Sequence, residues 1–285
     1  MTIVVTGATG NVGRPLVHEL HAAGAEVRAV TRDPDGAHFP HGVTLQHDVA
    51  DALPGASAVF LNSRALANQL DGVAELARRH GVRRLVALSA INVDDELRRQ
   101  PSRFIGDRNK EVEQLAVDSG VDWISLRPAQ FPSALANMWA AQIHAGDTVS
   151  GPYAAASSAP ISEADIAAVA ARAFLTDDLV GRRITLTGPE ALTNTELVQA
   201  IGKVLNRPLR YHEIPAEQVR HRFLDRGFPV EFADAYLAMQ ASTVDNPALV
   251  TREVDSILGR PAQSWAQWVS DNRDLFTNGP RSRPA

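Results

Sequence analysis

Cysteine is absent from this 285-residue chain. That excludes disulfides, thiolate zinc sites, iron–sulfur ligation and a thiol nucleophile, and it suits a cytoplasmic protein. Tyrosine is scarce, with only Tyr153, Tyr211 and Tyr236, so a tyrosine general acid has few places to come from. There is no run of ~18 apolar residues of the kind a membrane-spanning helix needs, and the opening residues read as a strand rather than a leader. The formal net charge of −5 gives no footprint for nucleic acid or an anionic membrane. Even the arginine-rich "RYHEIPAEQVRHRFLDR" alternates with Glu213, Glu217 and Asp225, and it reads as a solvated helix face. His38 and His41 lack a nearby carboxylate pair, and "HELH" (18–21) falls inside a helix without zinc-protease spacing. No metal is therefore expected. A G-x-S-x-G elbow is also missing, which leaves a serine hydrolase unsupported.

What is present is an alternation of short β-branched runs with helical stretches. Strands are expected at 2–7, 25–32, 43–49, 56–62, 82–90, 121–128 and 182–188, with helices at 12–23, 66–81, 108–120 and 162–175, the last capped by Ser162. Nearly all-apolar strands separated by helices imply a parallel sheet covered on both faces. Right-handed crossovers then give an α/β, doubly wound Rossmann fold with its ligand at the carboxyl ends of the strands. Residues 1–130, completed by 161–190, are expected to form this core. Residues 131–160 and 191–275 are expected to form a smaller, mostly helical substrate lobe, and 276–285 a disordered tail. Phe131, Trp139, Tyr153 and Phe228 are candidates to line an apolar substrate pocket, with a role in the lobe's core as the plainer alternative.

The stretch "VTGATGNVGRPL" (5–16) follows the first strand and opens a helix, the setting in which spaced glycines bind a pyrophosphate. Gly7 permits the turn, Gly10 close approach of the phosphates, and Gly13 helix–strand packing. The helix start adds free N–H groups and a positive dipole end. Thr6, Thr9, Asn11 and Val12 complete the candidate loop. By topology alone, Asn62 and Ser63 after the fourth strand, and Ser89 after the fifth, should border the ribose and nicotinamide.

The "TGATGNVG" spacing resembles the extended and atypical short-chain dehydrogenases/reductases. Together with "VRAVTRDP", "HDV", "SGVDWISLRPAQF", "PISEADIAAVAARAFL" and "ITLTGPEALTNTELVQAIGKVLNRPLRY", it resembles the atypical subgroup that holds NmrA-like proteins, NAD(P)H-dependent quinone reductases and triphenylmethane reductases. The resemblance runs to about residue 215. It implies NADP as cofactor through Arg32 of the "RDP" step; a register slip that brings Asp33 to the ribose would favour NAD instead. Arg14 is a secondary candidate. The resemblance assigns Asp48 to the adenine amino group, beside its local alternative as a helix cap, and brings Pro128 of "LRP" near the nicotinamide. Asp165 of "DIA" reads as support for a helix start.

Well-known members of the superfamily carry a tyrosine four residues before a lysine. Lys110 matches that lysine, which implies a contact to the nicotinamide ribose, but Gly106 stands at the tyrosine position. The expected function is an NAD(P)H-dependent reductase that transfers hydride to a small, apolar, electron-poor substrate such as a quinone or enone without the usual tyrosine. Two alternatives stay open: a non-catalytic redox sensor with a regulatory protein partner, and an isomerase or epimerase with tightly held cofactor. A homodimer is compatible with each.

Overall fold

The computed structural model describes residues 1–277. The apolar runs become β1 (Thr2–Thr6), β2 (Glu26–Val30), β3 (Thr44–Gln46), β4 (Ala58–Asn62), β5 (Arg84–Leu88) and β6 (Asp122–Pro128). After β7 (Thr148–Gly151) and β8 (Ser157–Ser158), β9 (Arg183–Leu186) rejoins them, and β10 (Leu192–Thr193) and β11 (Arg210–Glu213) follow. Seven strands form one parallel sheet in the order β3-β2-β1-β4-β5-β6-β9. The order reverses between β1 and β4, which opens a crevice at their carboxyl ends.

The helices are α1 (Gly13–Ala22), α2 (Val49–Ala52), α3 (Ser63–Leu66), α4 (Leu70–Arg79), α5 (Asn109–Val117), α6 (Pro132–Ala145) and α7 (Glu163–Leu175), then α8 (Asn194–Leu205), α9 (Ala216–Asp225), α10 (Val230–Ala241), α11 (Glu253–Leu258), α12 (Trp265–Asp271) and α13 (Asp274–Thr277). Successive side chains of a strand point to opposite faces, so a sheet buried on both sides needs two cores. Ile3, Val5, Phe60 and Ile124 meet α1, α7 and α11 on one face, while Val4, Val59, Leu61 and Leu85 meet α2, α4 and α5 on the other. A third cluster, around Trp139, Ile201, Trp265 and Phe276, joins α6, α8, α12 and α13. A fourth, around Phe223 and Tyr236, joins α9 and α10. The last two clusters make up the lobe. Helix α10 also packs on the 3-10 turns Leu97–Arg99 and Pro101–Ile105, which follow β5 and so tie the lobe to the sheet's carboxyl edge.

Several elements differ from their expected spans for local reasons. β2 stops at Val30, although the Thr31 amide still bonds Gln46 O at 3.0 Å, because Asp33 accepts from the Gly36 amide at 3.0 Å and closes a turn. The disordered tail expected over 276–285 does not hold for its first two residues, since α13 includes them and Phe276 is fully buried; residues 278–285 lie outside the described residues. No helix among the described residues is long and apolar enough to cross a membrane.

Candidate functional site

The glycine loop sits at the switch point between β1 and β4. Gly7 adopts φ +67°, and a Cβ on Gly13 would lie 2.1 Å from the Gly7 carbonyl oxygen, so only glycine lets α1 start this close to the turn. Gly10 is different. It is exposed, and a Cβ there would meet nothing nearer than the Gly7 oxygen at 3.1 Å. The fold demands its lack of a side chain far less than at Gly13, and it leaves the loop's outer surface open. Thr9 and Asn11 share that exposed surface, while Val12 is buried beneath it.

Thr6 departs from the sequence expectation. Its hydroxyl is buried, donates to Phe60 O at 2.8 Å and accepts from the Asn62 amide at 2.9 Å. It staples β1 to β4 below the loop rather than facing a ligand. Asn62 caps α3 by accepting from the Ala65 amide at 3.2 Å, and its side chain packs against Gly7. Ser63 accepts from the Arg108 amide at 3.1 Å, and Ser89 donates to Asn109 O at 3.1 Å. These serines fix the start of α5 at the sheet's carboxyl edge.

At the end of β2 the two charges separate. Asp33 is occupied by its own turn, whereas Arg32 is exposed and has no hydrogen-bond or ion-pair partner among the described residues. The loop lies beside this strand end: the Ala8 amide donates to Val30 O at 3.1 Å, and the Thr9 and Thr31 hydroxyls are 3.1 Å apart. Arg14 turns aside, donating to His38 O at 3.2 Å and lying over the Phe39 ring. Asp48 takes the local alternative: it caps α2 through the Ala50 amide at 2.8 Å and accepts from Gln69 at 2.8 Å.

Lys110 also departs from expectation. Its ammonium pairs with Asp94 at 3.4 Å on the surface, and Asp94 in turn pairs with Arg127 at 2.8 Å. An α-helix start brings its first side chains to different faces, and here Asn109 reaches towards Ser102 at 3.4 Å while its carbonyl accepts from Ser89. Gly106 holds φ +101° with open space around it, so a tyrosine there would be strained in backbone rather than crowded. The chain's own tyrosines divide by environment. Burial pushes the Tyr211 hydroxyl up, with Tyr236 and Glu213 nearby adding to it, and burial does the same to Tyr236. Both hold their protons tightly; Tyr211 donates to Pro152 O at 2.7 Å and Tyr236 to the Met138 sulfur at 3.3 Å.

Of the expected pocket residues, Trp139 is 2% exposed in the lobe core, and its indole meets the Tyr211 ring edge-on. Phe131 packs half-buried against the sheet core, and Phe228 stacks on Phe232 with Phe223 edge-on to both. Tyr153 holds φ +46°, with its carbonyl accepting from Asn194 at 3.0 Å. The four do not converge on one cavity. Pro128 ends β6, and its carbonyl accepts from the Ile91 amide at 2.9 Å.

Sequence reasoning missed two connections. Asn11 donates to Ser133 Oγ at 2.9 Å, and the Ser133 amide donates to the buried Glu163 at 3.2 Å, so the loop touches the start of α6, which α7 holds in turn. Asp165 is nearly fully buried; beyond supporting the start of α7, it accepts from Arg260 and from the Gln263 amide, both at 2.7 Å. The residue spacing carries no signal for either, since the partners lie some hundred positions apart.

A parallel sheet with a glycine turn at its switch point, a free helix start and an unpaired arginine at the second strand end defines a Rossmann-type dinucleotide-binding protein. The family model described as NAD(P)H-binding matches residues 7–177, and the chain belongs to that family. It is 34% identical to a (4-alkanoyl-5-oxo-2,5-dihydrofuran-3-yl)methyl phosphate reductase of Streptomyces griseus, over 96% of this chain and 99% of the relative. It is 28% identical to an NAD(P)H azoreductase of Xenophilus azovorans, again over 96% and 99%. The fold matches that of an NADPH-dependent quinone oxidoreductase from Escherichia coli with TM-score 0.80 at 22% identity, covering 96% of this chain and all of that one.

Proposed function

We propose that this protein is an NADPH-dependent reductase that delivers hydride to a small, apolar, electron-poor acceptor, namely a quinone or a double bond conjugated to a carbonyl. The observation that carries the cofactor choice is the fate of the two charges after β2: Arg32 is unpaired and Asp33 is tied into its turn. A free guanidinium suits a 2′-phosphate, whereas the carboxylate that would repel it is turned to Gly36. The reductase relatives, which act on a conjugated lactone phosphate and an azo compound by name, support the reaction class.

Bound at this site, the dinucleotide would supply the hydride from its nicotinamide. The exposed face of the Gly7–Gly13 turn and the N–H groups at the start of α1 would cradle the pyrophosphate. Asn62, Ser63 and Ser89 would border the ribose and nicotinamide as the strand ends nearest the crevice. The lobe, brought over the sheet's edge by α10, would exclude water and hold the acceptor against the cofactor, which is the main demand of hydride transfer. With Tyr211 half-buried and Tyr236 buried, both hydroxyls already bonded, and Gly106 at the tyrosine position, the proton would come from solvent after the hydride has moved.

The test is NADPH consumption by the purified protein with a panel of quinones and enones. Turnover with several acceptors is expected, with NADPH preferred over NADH. Tight NADPH binding with no turnover across the panel would reject the reductase reading in favour of a non-catalytic sensor.

A further inference from the structure

We propose that the pocket between α6, α9 and α10 is a substrate subsite for a short acyl or alkyl tail whose phosphate group is held at the mouth by Arg222 and Arg226. The proposal deepens the reductase reading and depends on it only for the ligand's role as substrate; its chemistry rests on the pocket.

The pocket walls are apolar. Met138, Trp139, Tyr211, Val219, Phe223 and Tyr236 surround a space of about 40 Å³. That is room for the last few carbons of a chain and too little for a ring. Its polar atoms make no demand on a ligand. The two tyrosine hydroxyls are already bonded to Pro152 O and the Met138 sulfur, and Gln142 is bonded at both ends to the Ser150 backbone. An apolar group therefore enters without leaving a partner unpaired.

The mouth has the opposite character. Arg222, in the last turn of α9, and Arg226, the residue that caps its C-terminus, both line the pocket. Arg220, on the same helix, is held by Asp234 at 2.7 Å and Glu217 at 3.8 Å. Arg222 has only a 3.5 Å contact to Ser150 O, and Arg226 has no side-chain partner among the described residues. The solvated face that the charge alternation predicts thus holds for these two exposed arginines, while Arg220 is partly covered and paired. Two free guanidiniums at the rim of an apolar pocket match a dianion with an apolar tail, since guanidinium forks pair with phosphate oxygens.

Helix α6 relates this pocket to the cofactor loop. Ser133, which accepts from Asn11, is five residues before Met138, or ~8 Å along the helix. A molecule of modest length could reach from one to the other.

The experiment compares the wild type with the double variant Arg222→Gln/Arg226→Gln, both substitutions at exposed positions. Three acceptors are used: an acylated conjugated lactone carrying a phosphomethyl group, the same lactone with a free hydroxymethyl group, and an unsubstituted naphthoquinone. The wild type should prefer the phosphate ester by ~30-fold in kcat/KM, mainly through KM, as two charge-assisted contacts would give. The double variant should lose most of that preference and leave naphthoquinone reduction unchanged. Equal use of the two lactones by the wild type, or a preference that survives in the variant, overturns the proposal. If all three acceptors are inert, the reductase reading fails separately. The subsite is then judged by calorimetric titration with butyl phosphate: binding by the wild type that weakens in the variant supports it, and no binding, or equal binding by both proteins, overturns it.

Discussion

Arg32 and Asp33 are adjacent in sequence, yet Asp33 closes a turn on the Gly36 amide while Arg32 keeps its guanidinium free. Replacing Arg32 with alanine should weaken NADPH binding by ~1.5–3 kcal/mol and leave NADH binding nearly unchanged. Titration with both cofactors measures this, and equal losses would remove Arg32 from the 2′-phosphate. The glycines of the loop separate fold from function in the same way. Gly13→Ala would drive a Cβ to 2.1 Å from the Gly7 oxygen and should lower the melting temperature. Gly10→Ala meets only the Gly7 oxygen, at 3.1 Å, and should cost far less stability than Gly13→Ala while losing dinucleotide affinity. A Gly10 variant that binds as tightly as wild type would rule out close phosphate approach at that position.

Between elements, the joint of α1, α6 and α7 carries the most consequence. Asn11, Ser133 and Glu163 form a chain from the exposed loop to a buried carboxylate. Ser133→Ala removes only the Asn11 contact. It should raise the KM for NADPH a few-fold, consistent with the loss of one exposed hydrogen bond, with little change in melting temperature. Steady-state kinetics with an active acceptor checks the first expectation and calorimetry the second. Asp165 is a different kind of joint, because this buried carboxylate, through two part-buried bonds, holds the chain at Arg260 and Gln263 against the start of α7. Asp165→Ala should cost ~1–3 kcal/mol of stability by leaving a part-buried amide and a half-exposed guanidinium without their acceptor. A denaturant midpoint unchanged from wild type would show that the C-terminal segment is held by α11 and α12 packing instead.

Across the whole molecule, acid sensitivity should centre on Glu113. Burial alone would raise its pKa, but hydrogen bonds from Arg127, Ser125 and Arg183 outweigh that and hold it at about 2. The folded value lies below the ordinary 4.5, so its contribution is full above pH 4.5 and is lost as pH falls from there towards 2. The amount is roughly 2–3 kcal/mol. Glu113→Gln should lower stability at neutral pH and flatten its decline in acid; a parallel decline in both proteins would place the acid-sensitive group elsewhere.

The division between sequence and tertiary structure follows the reach of each interaction. The β-branched runs, the Gly7–Gly13 spacing and the Ser162 cap were determined by the sequence itself, since each works within a few residues: strand burial, turn sterics and an N-cap bond need no distant partner. The doubly wound sheet follows from their alternation. Tertiary structure decided what depends on remote chain. Lys110 matches the family lysine by position, but its ammonium meets Asp94 at the surface, a carboxylate that Arg127 also holds. Trp139, a pocket candidate with core as the plainer alternative, proves to be both: α8 and α12 enclose it, and it lines the pocket beside Met138. Arg222 and Arg226 look like any solvated arginines until Tyr211, Trp139 and Tyr236 arrive behind them from three other segments. A side chain's partner, and hence its pairing and function, is set by which distant segment folds against it.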